Sequence, residues 1–459
     1  MLFPRRTPRK RTPEGVFASI LDLGTTSIKA LVCEMRPGEA TVLGVGREAL
    51  GERSTLTPRG EFTLSPEVLA SLCDMALRHA EDMTLGIYGH KVVADQIVMG
   101  LGGDVLCAFP TSIQVKRAKP DTRITEDELV ALLQRAQRLS ARQLADHPKA
   151  REQYGRGDWA LTNAMVTEVL VDEVRVVDPL RFQGKTLQVT VFNVFAPDTY
   201  QQVLASLAAD LDLQLMHLVA EPFALACALP VGDAIFLDVG GDRTDVAMVR
   251  QGTPVALSSF PQGSRTLTRQ IAARLGLPFE RAEALKLRRP AAGTLPARPD
   301  GDPAGVTAPG AGPDGKGSPR RVGQWPLPTP SDPLGDAIAG FLATWLDGLE
   351  VVLAGMAGHE ALPSRILLAG GGSQLPELTT ALGRPAWARR LPFGRPPEVG
   401  NLPPREVRGL VDRTQRLIGP QDVPAMCVAR LSAAVDYPET LQDRLLKTVI
   451  GNSALPFRR

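Results

Sequence analysis

Cysteine is scarce and unpatterned in this chain. Five occur in 459 residues, Cys33, Cys73, Cys107, Cys227 and Cys427, and no two have C-x-x-C spacing. A thiolate zinc module and a disulfide framework are therefore excluded, and thiols set in apolar runs are expected to be buried and reduced, as in a reducing cytoplasm. The five histidines form no metal cluster in the sequence. Neither charge sign is in excess: 52 Lys and Arg stand against 50 Asp and Glu, a formal net charge of +2. Such a balance gives no global attraction to nucleic acid or membrane, and no nucleic-acid partner is expected. No run of about 18 apolar residues is read, so no transmembrane helix is expected. Behind the basic stretch Arg5, Arg6, Arg9, Lys10 and Arg11 there is no apolar segment of the kind a signal peptide needs.

What is present is an ordinary soluble composition, 44% hydrophobic and 22% charged, in a chain too long for one core. Two or more lobes are expected. Within it, two short stretches resemble each other. Asp22-Leu23-Gly24-Thr25-Thr26-Ser27-Ile28-Lys29 and Asp238-Val239-Gly240-Gly241-Asp242-Arg243-Thr244-Asp245 each follow an apolar run and lead into alternating residues. Period-two patterning on both sides of a Gly turn predicts a β-hairpin in each case. Such turns can aim N–H groups and hydroxyls at a phosphate, while the Asp reaches its Mg²⁺. One turn of this kind is commonplace; two of them can close on one nucleotide from opposite sides. A third element, the buried-strand pattern Arg365–Ala369 followed by Gly370-Gly371-Gly372-Ser373 and a helical stretch 377–382, permits close backbone approach to a ligand.

In this order the motifs resemble those of the actin-like ATPase superfamily, and within it the bacterial cell-division protein FtsA. Asp22 to Val32 and Asp238 to Val249 look like the two phosphate hairpins and Ala369 to Gln374 like the adenosine loop. Ala220 to Ala226 resembles the helix connecting the two halves, and Ala282 to Lys286 a ribose-contacting helix. The resemblance implies a two-lobed α/β (ribonuclease H-like) ATPase fold binding ATP or ADP with Mg²⁺. By it, Gly24, Thr25, Thr26, Lys29, Gly240, Gly241, Arg243 and Thr244 contact phosphates, and Asp22 and Asp238 hold the metal. Glu221 orients the attacking water, Glu283 and Lys286 reach the ribose, and Gly370, Gly371, Gly372 and Ser373 lie at the adenosine. Glu283 and Lys286, one turn apart, can equally form an i,i+3 ion pair.

The narrower resemblance to FtsA rests on a small α+β subdomain expected at 110–196. It opens on the capping box Thr125-x-x-Glu128 and contains Asp178-Pro179-Leu180-Arg181-Phe182-Gln183-Gly184-Lys185 before a strand. The first lobe is expected to comprise 16–109 and 197–229, and the second 230–440, with a small subdomain at about 265–345. Residues 1–15 read as a solvated basic tail and 289–333 as a Pro/Gly-rich insertion unable to order itself. The segment 441–459 reads as a helix and tail. Its stripe Leu441, Leu445, Leu446, Val449 and Ile450 fits a helix docked on the body better than one lying on a membrane, which would carry more than Phe457 as an anchor.

One departure matters. The superfamily's second turn carries Gly and Thr where this chain has Asp242 and Arg243, and a carboxylate about 4 Å from a phosphate costs on the order of 1–4 kcal/mol per charge pair. Arg243 offsets it if its guanidinium faces the phosphate. Nucleotide binding is thus favoured over efficient hydrolysis. The function implied is an FtsA-like scaffold, cytoplasmic and peripheral at the inner face of the membrane, that self-associates into filaments or oligomers and recruits the division tubulin or other divisome proteins. A PilM-like pilus platform protein and a small-molecule kinase of the same superfamily are the alternatives.

Overall fold

A computed structural model describes residues 16–53, 63–152, 158–229, 231–288, 332–358, 360–436 and 440–451. The basic stretch 1–15, nearly all of the Pro/Gly-rich segment at 289–333 and the end of the chain with Phe457 lie outside the described residues.

Both expected hairpins form. Val16–Leu23 pairs antiparallel with Ser27–Arg36, and Ala234–Val239 pairs antiparallel with Thr244–Arg250, so each Gly/Thr turn sits at the tip of a central strand pair. Each hairpin lies at the centre of its own sheet. The first sheet has six strands in the order Leu410–Asp412, Glu39–Ala49, Ser27–Arg36, Val16–Leu23, Gln96–Leu101 and Gln214–Ala220. The second has five, Thr253–Phe260, Thr244–Arg250, Ala234–Val239, Arg365–Ala369 and Glu398–Asn401. In both, the strand after the crossover lies parallel beside the hairpin's first strand. The result is a two-lobed α/β architecture in which the hairpin turns open toward the same cleft.

Helix Pro66–Tyr88 lies directly on the first sheet, and two glycines permit it. A Cβ at Gly44 or Gly46 would stand 1.8 Å from the backbone oxygen of Ala80 or Ala76. In the second lobe the helix Pro333–Ala357 buries Phe341, Trp345, Leu349 and Leu353 against the sheet. This helix is long and apolar enough to cross a membrane, which corrects the expectation that the chain contains no such stretch. Its buried face makes it a core helix, and Asp336, Asp347 and Glu350 lie along it.

The inserted subdomain is a four-stranded sheet, Cys107–Lys116, Thr186–Pro197, Trp159–Val171 and Val174–Arg175 in that order, carrying the helix Glu126–Asp146. The helix starts where the capping box placed it: the Glu128 N–H donates to Thr125 Oγ1 and the Thr125 N–H to Glu128 Oε2. The C-terminal helix Leu441–Gly451 docks on this subdomain, with Leu445, Leu446 and Val449 buried among Leu129, Leu132, Leu133 and Val169. Its apolar stripe is therefore covered by protein, while Arg444 and Lys447 face outward.

The second lobe ends earlier than expected. Strand Leu410–Asp412 pairs with Glu39–Ala49 of the first sheet, and helix Val423–Asp436 contributes Val423, Met426, Cys427 and Val428 to the first lobe's core. The chain recrosses after Glu398–Asn401 to extend the first sheet and to pack against the connecting helix Glu221–Ala228. No pattern local to 402–436 signals which lobe its apolar residues will meet.

Candidate functional site

The two turns, the glycine loop and the connecting helix enclose one cleft between the lobes. Its walls include Asp22, Gly24, Thr25, Thr26, Lys29, Glu221, Asp238, Gly240, Gly241, Arg243, Gly370, Gly371 and Gly372. Ser27, Asp245, Ser264 and Pro424 also line it and were not anticipated. Asp245 stands at the end of the quoted turn motif and was legible there; Ser264 and Pro424 arrive from distant segments with no local signal. Gly370 has a φ of +80°, and a Cβ on it would meet Asp238 Oδ1 at 2.1 Å. Only glycine lets this loop close over the second hairpin.

Several expected contacts are made elsewhere. Thr244 does not line the cleft: its hydroxyl donates to the Gln262 carbonyl at 2.8 Å and accepts from Trp345 Nε1 at 2.9 Å, inside the second lobe's core. Ser373 is turned inward, its hydroxyl donating to the Gly370 carbonyl at 2.7 Å, so it braces the loop. Glu283 and Lys286 pair with each other at 2.8 Å, and Lys286 Nζ also donates to Thr268 Oγ1 at 3.0 Å and to the Ser264 carbonyl. Neither is on the cleft wall. The i,i+3 reading of that pair is the one realised, with the lysine buried.

The Asp242 carboxylate does not face the cleft either. It takes Arg269 Nη2 at 2.6 Å and lies 3.6 Å from Arg265 Nη1, so the expected repulsion of a phosphate is neutralised within the second lobe. Arg243 reaches the wall, but its guanidinium is directed at carboxylates: Asp104 at 3.0 Å, Asp245 at 3.5 Å and Glu221 at 3.8 Å. It is therefore not the phosphate clamp that would have compensated for Asp242.

Oxygen ligands for a hard cation are concentrated here. Glu221, Asp238 and Asp245 bring carboxylate oxygens within 4.8 Å of one another, a donor set that fits Mg²⁺ chemically. Asp22 is engaged by Lys29, Nζ to Oδ2 2.8 Å. Burial opposes the Lys29 charge, but Asp22 together with Asp238 and Glu221 outweighs it and the ammonium pKa is raised. Burial, and then the Asp22 charge, push Glu221 well above the usual carboxylate range. Burial and the neighbouring Asp245 push Asp238 up to about 7.

Asp238 has a pH consequence. Its folded value near 7 lies above the unfolded value of about 4. The folded chain thus binds the extra proton, giving stability that is present below about pH 4 and lost as pH rises through about 7. Asp238→Asn should remove this component. Urea midpoints measured at pH 5 and pH 8 should differ less in the variant than in the parent.

The sequence model of the cell division protein FtsA family matches residues 235–410, the second sheet with its glycine loop. FtsA of Agrobacterium fabrum is 24% identical over 397 residues, covering 84% of this chain and 82% of the relative. FtsA of Streptococcus pneumoniae is 23% identical over 280 residues, 60% of this chain and 56% of the relative. A solved PilM–PilN type IV pilus biogenesis complex contains a chain that superposes with a TM-score of 0.57 at 17% identity, covering 91% of this chain and 98% of that one. The fold is that of the actin-like ATPases, and the sequence is similar to FtsA. The match to the pneumococcal FtsA spans little more than half of that relative's length, so the similarity carries the architecture and leaves activity and partners to be argued from the cleft.

Proposed function

We propose that the chain is an FtsA-like nucleotide-binding scaffold that takes ATP or ADP with Mg²⁺ in the interlobe cleft. The observation that carries this reading is the convergence of two hairpin turns and a glycine loop, from positions far apart in sequence (Gly24, Gly240 and Gly370), on one cleft lined by Lys29 and carboxylates. In this reading Thr25, Thr26 and the backbone of Gly24, Gly240 and Gly241 hold phosphate oxygens. Lys29 supplies positive charge, and Gly371 and Gly372 leave room for the nucleoside. Asp22 and Asp238, joined by Asp245, would hold the Mg²⁺, whose contribution is neutralisation of phosphate charge. Glu221 is the residue placed to orient a water, and its ion pair with Arg243 competes with that task. Binding with slow turnover is the expected behaviour.

Self-association, recruitment of divisome proteins such as the division tubulin, and a position at the inner face of the membrane are part of the same proposal, supported by the similarity to FtsA. With Leu445, Leu446 and Val449 covered, attraction to anionic lipid is assigned to the basic stretch Arg5–Arg11, at about 1 kcal/mol per basic residue near the surface. The superposition on PilM favours a second reading, a pilus-assembly platform, which differs in partner and shares the nucleotide site. Isothermal titration of ATP and of ADP, each with Mg²⁺, tests the shared part: saturable binding of either is expected, and heats indistinguishable from dilution for both would sink it.

A further inference from the structure

We propose that Asp242 and Arg243 convert the second turn into a fastener that joins the two lobes through bonds made by the chain itself, so that the cleft is held closed with or without nucleotide. The first turn offers two hydroxyls, Thr26 and Ser27, on the cleft wall. At the matching places the second turn offers a carboxylate and a guanidinium, and both are used sideways.

Arg243 belongs to the second lobe, and its guanidinium ends on the first. It meets Asp104, in the turn after strand Gln96–Leu101, and Glu221, at the start of the connecting helix. Alongside, the first-lobe Gly103 N–H donates to Asp245 Oδ2 at 2.9 Å. Asp242 works from the other side of the turn. Its own N–H donates to Thr25 Oγ1 at 3.2 Å, which joins the two turns directly. Its carboxylate lies beside Arg265, whose guanidinium crosses to the first lobe and donates to the carbonyls of Thr25 at 2.8 Å, Arg53 at 2.7 Å and Glu52. Arg265 is 1% exposed and also packs over the Phe279 ring.

The two cross-lobe cations are thus buried and aimed at first-lobe acceptors on opposite flanks of the cleft, Arg265 hydrogen-bonded to carbonyls and Arg243 ion-paired with carboxylates. Charge-assisted bonds to carbonyls and carboxylates at such sites are stronger and less salt-screened than surface pairs. A hinge held at both flanks has little freedom to open. The proposal does not rest on nucleotide binding.

The test places spin labels on Leu85→Cys and Val351→Cys, exposed positions on the first and second lobes, in the full chain with the half-buried Cys227 changed to alanine. Double electron–electron resonance then reads the interlobe distance without nucleotide. The expected result is one narrow distribution in this parent. In Arg265→Gln and in Asp242→Gly/Arg243→Thr it should broaden and shift to longer distance, as a released hinge opens. A broad distribution in the parent overturns the proposal even if neither variant folds. So does a variant that retains native far-UV circular dichroism and the parent's distribution. A chain that binds no nucleotide in the calorimetric titration yet gives the narrow distribution would refute the proposed function and leave this inference standing.

Discussion

Lys29→Ala should weaken binding of ATP with Mg²⁺ by roughly 100-fold, the loss of one charge-assisted contact worth about 3 kcal/mol. The lysine lies on the strand leaving the first turn, opposite Asp22 in the hairpin register, with its ammonium on the wall of the cleft. Its present partner is the Asp22 carboxylate, whose side chain is 5% exposed. Truncation removes the cation that would face the phosphates and leaves a buried carboxylate uncompensated. Breaking one side of a buried pair costs about 3–5 kcal/mol of stability, so the variant should also unfold at lower urea. Lys29→Met/Asp22→Asn separates the two effects. The pair of neutral, similarly sized side chains should restore most of the stability and none of the affinity. Calorimetry on the parent, the single and the double variant checks this, and a Lys29→Ala protein that binds ATP like the parent would remove the lysine from the site.

A loss of stability of similar size is expected at Trp345. Trp345→Ala should destabilise the chain by about 3–5 kcal/mol, the usual range for deleting a buried aromatic ring, against a typical total of about 5–15 kcal/mol. Trp345 is fully buried at the middle of helix Pro333–Ala357, tilted against Phe260 at 5.9 Å between centroids. Its Nε1 donates to Thr244, the first residue of the strand leaving the second turn. The substitution therefore opens a cavity and also loosens the strand that carries Asp245 and follows Arg243. Trp345→Phe keeps most of the volume and loses the hydrogen bond. It should recover the larger part of the stability, and the remaining deficit reports the bond to Thr244. Equilibrium urea unfolding of the three proteins measures both terms.

Local chemistry accounts for most of what was legible in the sequence. The two hairpins, the glycine loop with its following helix and the capping box at Thr125 depend on residues close in sequence, and each appears where its pattern predicts it. The convergence of those turns on one cleft followed from their duplication and order. The docked C-terminal helix was also readable, since a stripe of Leu and Val with two basic residues needs a protein surface more than a bilayer.

What only the tertiary structure decided is where polar side chains with several available partners end. Asp242 and Arg243 were visible as an oddity in the turn. That one is absorbed by Arg265 and Arg269, and the other by Asp104, Glu221 and Asp245, depends on segments brought together from across the chain. Thr244, Glu283 and Lys286 went the same way, drawn to buried partners that no spacing announces. The return of residues 402–436 to the first lobe belongs here too. A backbone pattern is set by neighbours within a few residues, whereas a charge taken out of water must pair with whatever the fold places beside it. The elements of this protein were therefore written locally, and the use made of its cleft-side charges was settled by packing.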